Sequence, residues 1–297
     1  GAGPSPDRFA IGSEGIMGII TEASMRLQDR PIYRSSCTVE FEDYENALKA
    51  LRQISQAALF PSNCRLLDSN EALFNGVGNG SKHLLILAFE SADHDKAYSL
   101  NRALEISREN QGICEIAKEA SDSHRSGSSG NWRNSFIKAP YLRECFTRRG
   151  IIQDTFETAI TWDRSGNFIN DIKEQTAKAI LKITGKPSLV TCRITHSYPD
   201  GLAPYFTFGA FAKPETMLKV WKEIKLATNE ICISNQGTVT HHHAVGRDHR
   251  PKGYDNQRPD LFNKVLVAAK ASLDPKGIMN PGVLIDPENK SIKNWIG

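Results

Sequence analysis

The stretch SCTVEFEDYENALKALRQISQAALFPSNCRLLD (36–68) decides the fold. It opens in alternation, with Val39 and Phe41 on one face of an extended segment that begins at Arg34. Asp43 stands where a helix N-cap would, just before YENALKALRQISQAAL (44–59). There Ala47, Leu51, Ile54 and Ala58 recur at helical spacing. Pro61 stops that helix, and CRLLD (64–68) is a short strand. Further out, HLLILAFES (83–91) reads as a buried strand, and DHDKAYSLNRALEISRENQG (93–112) as a second amphipathic helix ending at Gly112. With ICEIAKE (113–119) as a fourth strand, this is a split βαβ unit: an antiparallel sheet with helices on one face.

The later half repeats the theme. TFETAITWDR (155–164) begins as a strand, and FINDIKEQTAKAILKITG (168–185) is a helix ending at Gly185. LVTCRITHSY (189–198) and PYFTFGAF (204–211) are β-rich runs divided by the turn PDGLA. ETMLKVWKEIKLATNEICISNQG (215–237) is a helix closed by Gly237, and TVTHHHAVGRDH (238–249) follows as strand plus loop. PDLFNKVLVAAKASLDPKG (259–277) is a last helix with Asp260 in its first turn. Residues 1–9 read as a Gly/Pro/Ser loop, and SDSHRSGSSGNWRNS (121–135) as the most loop-like interior stretch. The expected class is α+β: antiparallel sheets covered by helices, in a ferredoxin-like cap arrangement.

Composition narrows the function classes. There are 37 basic and 34 acidic residues, a formal net charge of +3, and the basic ones are scattered, so no nucleic-acid partner is expected. The six cysteines make no CxxC pair and no zinc spacing, which predicts reduced, buried thiols and a cytoplasmic protein. No apolar run is long enough to span a bilayer. The opening GAGPSPDRFAIGSEG looks like the middle of a longer protein cut in an exposed loop.

Three consecutive histidines, His241, His242 and His243, stand out. In an extended segment side chains alternate, so His241 and His243 are expected on one face and His242 on the other. Three imidazoles offer donors, acceptors and protons that titrate near neutrality. A surface cluster and a zinc site are the alternatives. Neighbouring histidines cannot easily all reach one ion, and no Cys or Glu lies at ligand spacing, so no metal is expected. In GSEGIMGII, Gly12, Gly15 and Gly18 would let backbone amides approach a phosphate or a planar ring, or simply form a tight turn. Tyr205 opens an apolar run where a phenol needs a partner. Arg143 and Arg65 sit among apolar residues, where a guanidinium is costly unless paired.

Taken in order, GSEGIMGIITEA, NCRLLDSNEALF, APYLRE, TFETAITWDR, CRITHSYPDGLAPYFTFGAF, THHHAVGRDH and MNPGVLID resemble the alkyldihydroxyacetonephosphate synthases. These belong to the vanillyl-alcohol-oxidase-type FAD-linked oxidases, and the likeness covers nearly the whole chain. It implies FAD held between an N-terminal FAD-binding domain and a C-terminal cap carrying the substrate site. Residues 1–30 would then be the end of the FAD-binding domain, 31–240 the substrate-binding cap, and 241–297 the histidine loop and a C-terminal helix. The resemblance implies that Glu14, Gly15, Ile16, Met17, Gly18, Ile19 and Ile20 contact FAD. It implies Tyr205 and His241–His243 as catalytic, with Arg143 and Arg65 binding substrate.

The implied reaction exchanges the acyl group of acyl-dihydroxyacetone phosphate for a fatty alcohol through a flavin N5 adduct, in ether lipid synthesis. The implied partners are a small-molecule or lipid substrate and the N-terminal FAD-binding domain, with room for peripheral membrane contact and a homodimer. By itself this stretch is expected to bind FAD weakly or not at all. One departure is Arg247, where a lysine commonly follows the histidines, within a basic loop carrying Arg250, Lys252 and Arg258. The family shades into D-lactate, glycolate and D-2-hydroxyglutarate dehydrogenases, so an FAD-dependent 2-hydroxy-acid oxidoreductase is the alternative. A non-catalytic ferredoxin-like binding module is a third.

Overall fold

The computed structural model describes residues 3–114, 137 and 141–286. The expected loop at 121–135 and the end of the expected fourth strand, 115–119, lie outside these residues. Two compact units are formed, one from residues 27–221 and one from residues 1–26 together with 222–297.

The first unit is built on an antiparallel sheet of strands β1 (Tyr33–Phe41), β2 (Asn63–Leu67), β3 (His83–Ser91), β4 (Ile113–Cys114), β5 (Ile151–Glu157), β6 (Ile160–Thr161), β7 (Val190–Ser197) and β8 (Gly201–Phe211). Their order is β4-β1-β3-β2-β7-β8-β5, with β6 paired to β8. The helices are α2 (Tyr44–Gln56), α3 (Ser69–Phe74), α4 (Ala97–Glu109), α5 (141–147), α6 (Phe168–Thr184) and the start of α7 (Met217–Ser234). Order β4-β1-β3-β2 is the split βαβ arrangement read from residues 36–68 outward. The second repeat, β5-α6-β7-β8-α7, joins it where β2 pairs β7 through Leu66↔Ile194 and Leu67↔Arg193.

Local signals account for most of these elements. Asp43 caps α2 by accepting from the Asn46 amide at 2.9 Å, and Ala47, Leu51 and Ile54 are fully buried. The helix ends at Gln56 rather than 59, because Ala58 and Phe60 take positive φ and Pro61 disfavours helical geometry before it. Gly185 closes α6 in the left-handed conformation that glycine adopts without a Cβ penalty.

Two expectations need correction. Helices do not cover one face alone. α3, within the NCRLLDSNEALF segment, lies over the opposite face, where Ala72 packs with Leu67, Val77, Leu84 and Ile86. That second cover explains why β3 is buried at Leu84 through Phe89 without alternation. The second correction is at the N-terminus, where 6–10 forms the single-turn helix α1 (Pro6–Ala10) capped by Ser5. Pro6 suits the first helical position because its missing N–H is an orphan there anyway.

In the other unit, α9 (Asp260–Leu273) and the segment 282–286 enclose Ile16, with Leu266, Val283, Leu284 and Ile285 around it. An irregular π-type turn, Arg250–Tyr254, in which Pro251 and Lys252 leave helical geometry, runs into the one-turn helix α8 (Asp255–Gln257).

Candidate active site

In the unit of residues 27–221 the strand register sorts the candidates by face. On β8, Phe206, Phe208 and Ala210 are buried beneath the helices, while Tyr205, Thr207 and Gly209 point to the other face and are half-buried. Directly opposed residues in an antiparallel pair share a face. Tyr205 is opposed by Arg193 on β7 and by Glu157 on β5, and Thr207 by Thr191 and Thr155. Arg65 shares the face of Leu67, which opposes Arg193.

The side chains converge accordingly. The Tyr205 hydroxyl and the Thr155 hydroxyl lie 2.9 Å apart, and the Arg193 guanidinium stacks over the Tyr205 ring, 3.8 Å from its centroid. Arg193 pairs with Glu71 of α3, which also accepts from the Thr191 hydroxyl. Burial pushes the Arg65 guanidinium below its ordinary range, and the neighbouring charge of Arg193 pushes it the same way. Arg65 and Arg193 thus share a half-buried face with two buried carboxylates, Glu71 and Glu157.

An apolar pocket of about 270 Å³ opens along the same face, lined by Phe74, Phe146, Leu189, Thr191, Thr207 and Gly209 among others. A Cβ added at Gly209 would meet nothing within 4 Å. The pocket lies along this face between Thr207 and Phe211, beginning one same-face position beyond Tyr205.

Arg143 lies elsewhere. It is exposed on α5 and sits 3.6 Å from Asp154. Asp154 also accepts from the Trp221 indole at 2.6 Å and alternates to the face opposite Thr155 and Tyr205. The structure thus brings Tyr205 and Arg65 to one face and puts Arg143 with Asp154.

In the other unit, two segments singled out independently are tied together. The Glu14 carboxylate accepts from the Val245 amide at 2.7 Å and the Gly246 amide at 2.8 Å, immediately after the histidines. The Asn280 amide donates to the Glu14 carbonyl at 2.5 Å, and Lys270 donates to the Ile16 carbonyl at 2.7 Å. The Met17–Ile20 end stays accessible: a Cβ at Gly18 would meet nothing within 4 Å, and Ile19 and Ile20 are exposed. Residues 18–32 join neither helix nor strand, so this backbone can lie against a planar ring or a phosphate, which fits the edge of a flavin.

The histidines do not alternate. Thr240 takes φ +61°, which bends the chain, and 238–249 forms no strand. The rings of His241 and His242 lie 5.6 Å apart and those of His242 and His243 4.8 Å apart, both edge-to-face. The expected division into two faces is therefore overturned, and consecutive imidazoles contact one another around a bend.

The basic loop is already committed. Arg250 is buried, bonds both oxygens of Asp255 at 3.2 Å, and reaches Asp286 at 3.0 Å and the Gly282 carbonyl at 2.9 Å. Lys252 pairs with Glu230 at 2.8 Å, Arg247 donates to the Pro281 carbonyl at 2.9 Å, and Arg258 donates to the Leu284 carbonyl. Arg247, Arg250 and Arg258 hold the segment 281–286, and Lys252 is paired on α7, so these cations are engaged within the protein.

The cysteines are free, but of the thiols expected to be buried only Cys37, Cys192 and Cys232 are; Cys64 and Cys114 are half-buried and Cys145 is exposed. Burial pushes the Cys64 thiol up to about 12 and raises that of Cys192 well above the usual range, which leaves both unreactive. Sequence reading missed Arg193, Glu71, Thr155 and Glu157. For Glu71 a signal existed: Asp68-Ser-Asn-Glu71 has the spacing of a capping box at the start of a short helix.

The chain belongs to the FAD linked oxidases, C-terminal domain, a family matching residues 30–284. It is 25% identical to the alkyldihydroxyacetonephosphate synthase of Trypanosoma brucei brucei over 93% of this chain and 47% of that protein. It is 24% identical to glycolate oxidase subunit GlcD of Bacillus subtilis over 95% of this chain and 57% of that protein. A solved alkyldihydroxyacetonephosphate synthase superposes with a TM-score of 0.67 at 21% identity, over 95% of this chain and 49% of that one, and so shares the fold. The chain spans about half the length of the curated relatives it matches. Among the described residues no helix is long and apolar enough to cross a membrane.

Proposed function

We propose that this chain carries the substrate site of an FAD-dependent enzyme of the alkyldihydroxyacetonephosphate synthase type, acting on a substrate with an anionic head and a long apolar chain. The observation that carries this reading is the face shared by Tyr205, Arg193 and Arg65 with an apolar pocket of about 270 Å³ that begins at the neighbouring Thr191 and Thr207. Guanidinium groups suit a phosphate because their donors match its oxygens in pairs. The pocket suits an acyl or alkyl chain, each buried methylene contributing about 0.8 kcal/mol.

Tyr205 is the group positioned to exchange a proton at a substrate carbon, its hydroxyl oriented by Thr155 at 2.9 Å. The family resemblance also gives His241–His243 a catalytic role, and Glu14 holds the exit of their loop. Arg143, paired with Asp154, is assigned to binding only on the family resemblance. FAD, held along Glu14–Ile20 in the full-length protein, would supply the electronic chemistry that side chains cannot.

The test is the full-length protein incubated with acyl-dihydroxyacetone phosphate and a fatty alcohol. Ether product is expected, and its loss in Tyr205→Phe. No ether product, with flavin bleaching by a 2-hydroxy acid, would replace this reading with the oxidoreductase one. That alternative is supported by the glycolate oxidase likeness, but a short hydroxy acid leaves the apolar pocket without a use.

A further inference from the structure

Glu71 is 1% exposed, and α3 does not need it for its own end. In a capping box the third helical residue reaches back to the cap's amide. Here the Asp68 amide donates instead to the Cys192 carbonyl at 3.0 Å. Asp68 itself caps the helix by accepting from the Glu71 amide at 2.7 Å. The Glu71 carboxylate is thereby released to the sheet face. One oxygen takes Arg193 and the Asn75 amide, the latter at 3.2 Å, and the other takes the Thr191 hydroxyl.

The helix that carries Glu71 is fastened to the sheet. The second Asp68 oxygen accepts from the Cys192 amide at 2.9 Å and from Lys173 at 2.6 Å, and the Ser69 amide donates to His83 Nδ1 at 3.1 Å. A buried ion pair is an inefficient stabiliser, since apolar residues of like volume often do as well. What this pair does is directional. Arg193 is a long side chain with several rotamers, it feels the like charge of Arg65, and one arrangement sets its guanidinium against the Tyr205 ring.

We propose that Glu71 is the positioning residue of the anion subsite: from its anchored helix it holds Arg193 stacked on Tyr205, the orientation from which Arg193 meets an anionic head group. This rests on the reading of the site given under Proposed function. Glu71 touches no substrate itself and acts through Arg193.

The test uses the full-length protein and titration calorimetry with dodecyl phosphate, which carries the head charge and an apolar chain, alongside uncharged dodecanol. Glu71→Gln keeps the size and removes the charge. It is expected to weaken dodecyl phosphate binding about tenfold, the scale of one charge-assisted contact, while dodecanol binding is unchanged. Arg193→Gln should weaken it at least as much, and the double variant no more than Arg193→Gln alone. A helix that merely packs would give additive losses in both ligands.

Should Glu71→Gln not fold, Glu71→Asp carries the same comparison, with a several-fold loss when Arg193 is present and none when it is Gln. Unchanged affinity in the Glu71 variant, or additive losses in the double, overturns the role of Glu71 and leaves the site reading standing. No binding of dodecyl phosphate by the unmodified protein overturns both.

Discussion

Replacing Glu14 by Gln perturbs the two hydrogen bonds that tie the end of the histidine loop to the Glu14–Ile20 segment. The carboxylate accepts two backbone amides, from Val245 at 2.7 Å and Gly246 at 2.8 Å. A glutamine keeps one acceptor oxygen and turns a donor NH2 toward the other amide, so one charge-assisted bond is lost and one amide faces a donor. Hydrogen bonds to charged groups contribute about 1.5–3 kcal/mol each, so the local loss should be roughly 2–3 kcal/mol. Amide hydrogen exchange in the full-length protein reads this directly, because local opening follows the local free energy. Val245 and Gly246 are expected to exchange about 30- to 150-fold faster, at tenfold per 1.4 kcal/mol.

Glu14 sits at φ +50°, where a side chain costs about 1–2 kcal/mol and glycine does not. The Glu14→Gly variant loses both bonds but relieves that strain, so global stability should fall less than the loop's protection does. Unchanged exchange at Val245 and Gly246 in Glu14→Gln would refute the reasoning, since the two amides would then have no need of this carboxylate.

Three other outcomes follow from the same geometry. Gly209→Leu adds a side chain into open pocket space without backbone strain, and should weaken binding of dodecyl phosphate at least tenfold while sparing a short alkyl phosphate, measured by calorimetry. Asp274 is buried, which raises its pKa, but Lys270 and the Met279 and Ile278 amides outweigh this and hold the carboxyl below its ordinary range. Its folded value being depressed, its contribution is present above the unfolded value of about 3.9 and fades as pH falls through the lower folded one. Asp274→Asn should therefore flatten the acid limb of a pH-dependent melting curve. Burial lowers the pKa of His83, whose Nδ1 accepts the Ser69 amide. That stability is complete above about pH 6.5 and lost as pH falls through the lower folded value, so amides at the start of α3 should lose protection relative to their intrinsic exchange rate in acid, an effect His83→Gln removes.

The repeating strand–helix–strand–strand–helix order is legible in the residues alone, because it rests on local patterns. Val39 and Phe41 alternate, Ala47, Leu51 and Ile54 recur at helical spacing, and Asp43 and Gly185 mark helix ends, all within reach of neighbouring residues. Tyr205, Arg65 and the histidines stand out in the sequence as residue types that are costly or unusual where they stand, whereas Glu14–Ile20 is marked only by its glycines and the family resemblance. Tertiary structure decided what lies across strands. Arg193 opposes Tyr205 only once β7 and β8 are in register, and Glu71 meets Arg193 across 122 residues of chain. Arg143 looked like Arg65 in sequence, yet the single-residue step between Asp154 and Thr155 puts it with the opposite face. The histidines showed the same limit in the other direction. Alternation is a property of extended chain, and one positive φ at Thr240 was enough to replace it with rings in contact around a bend.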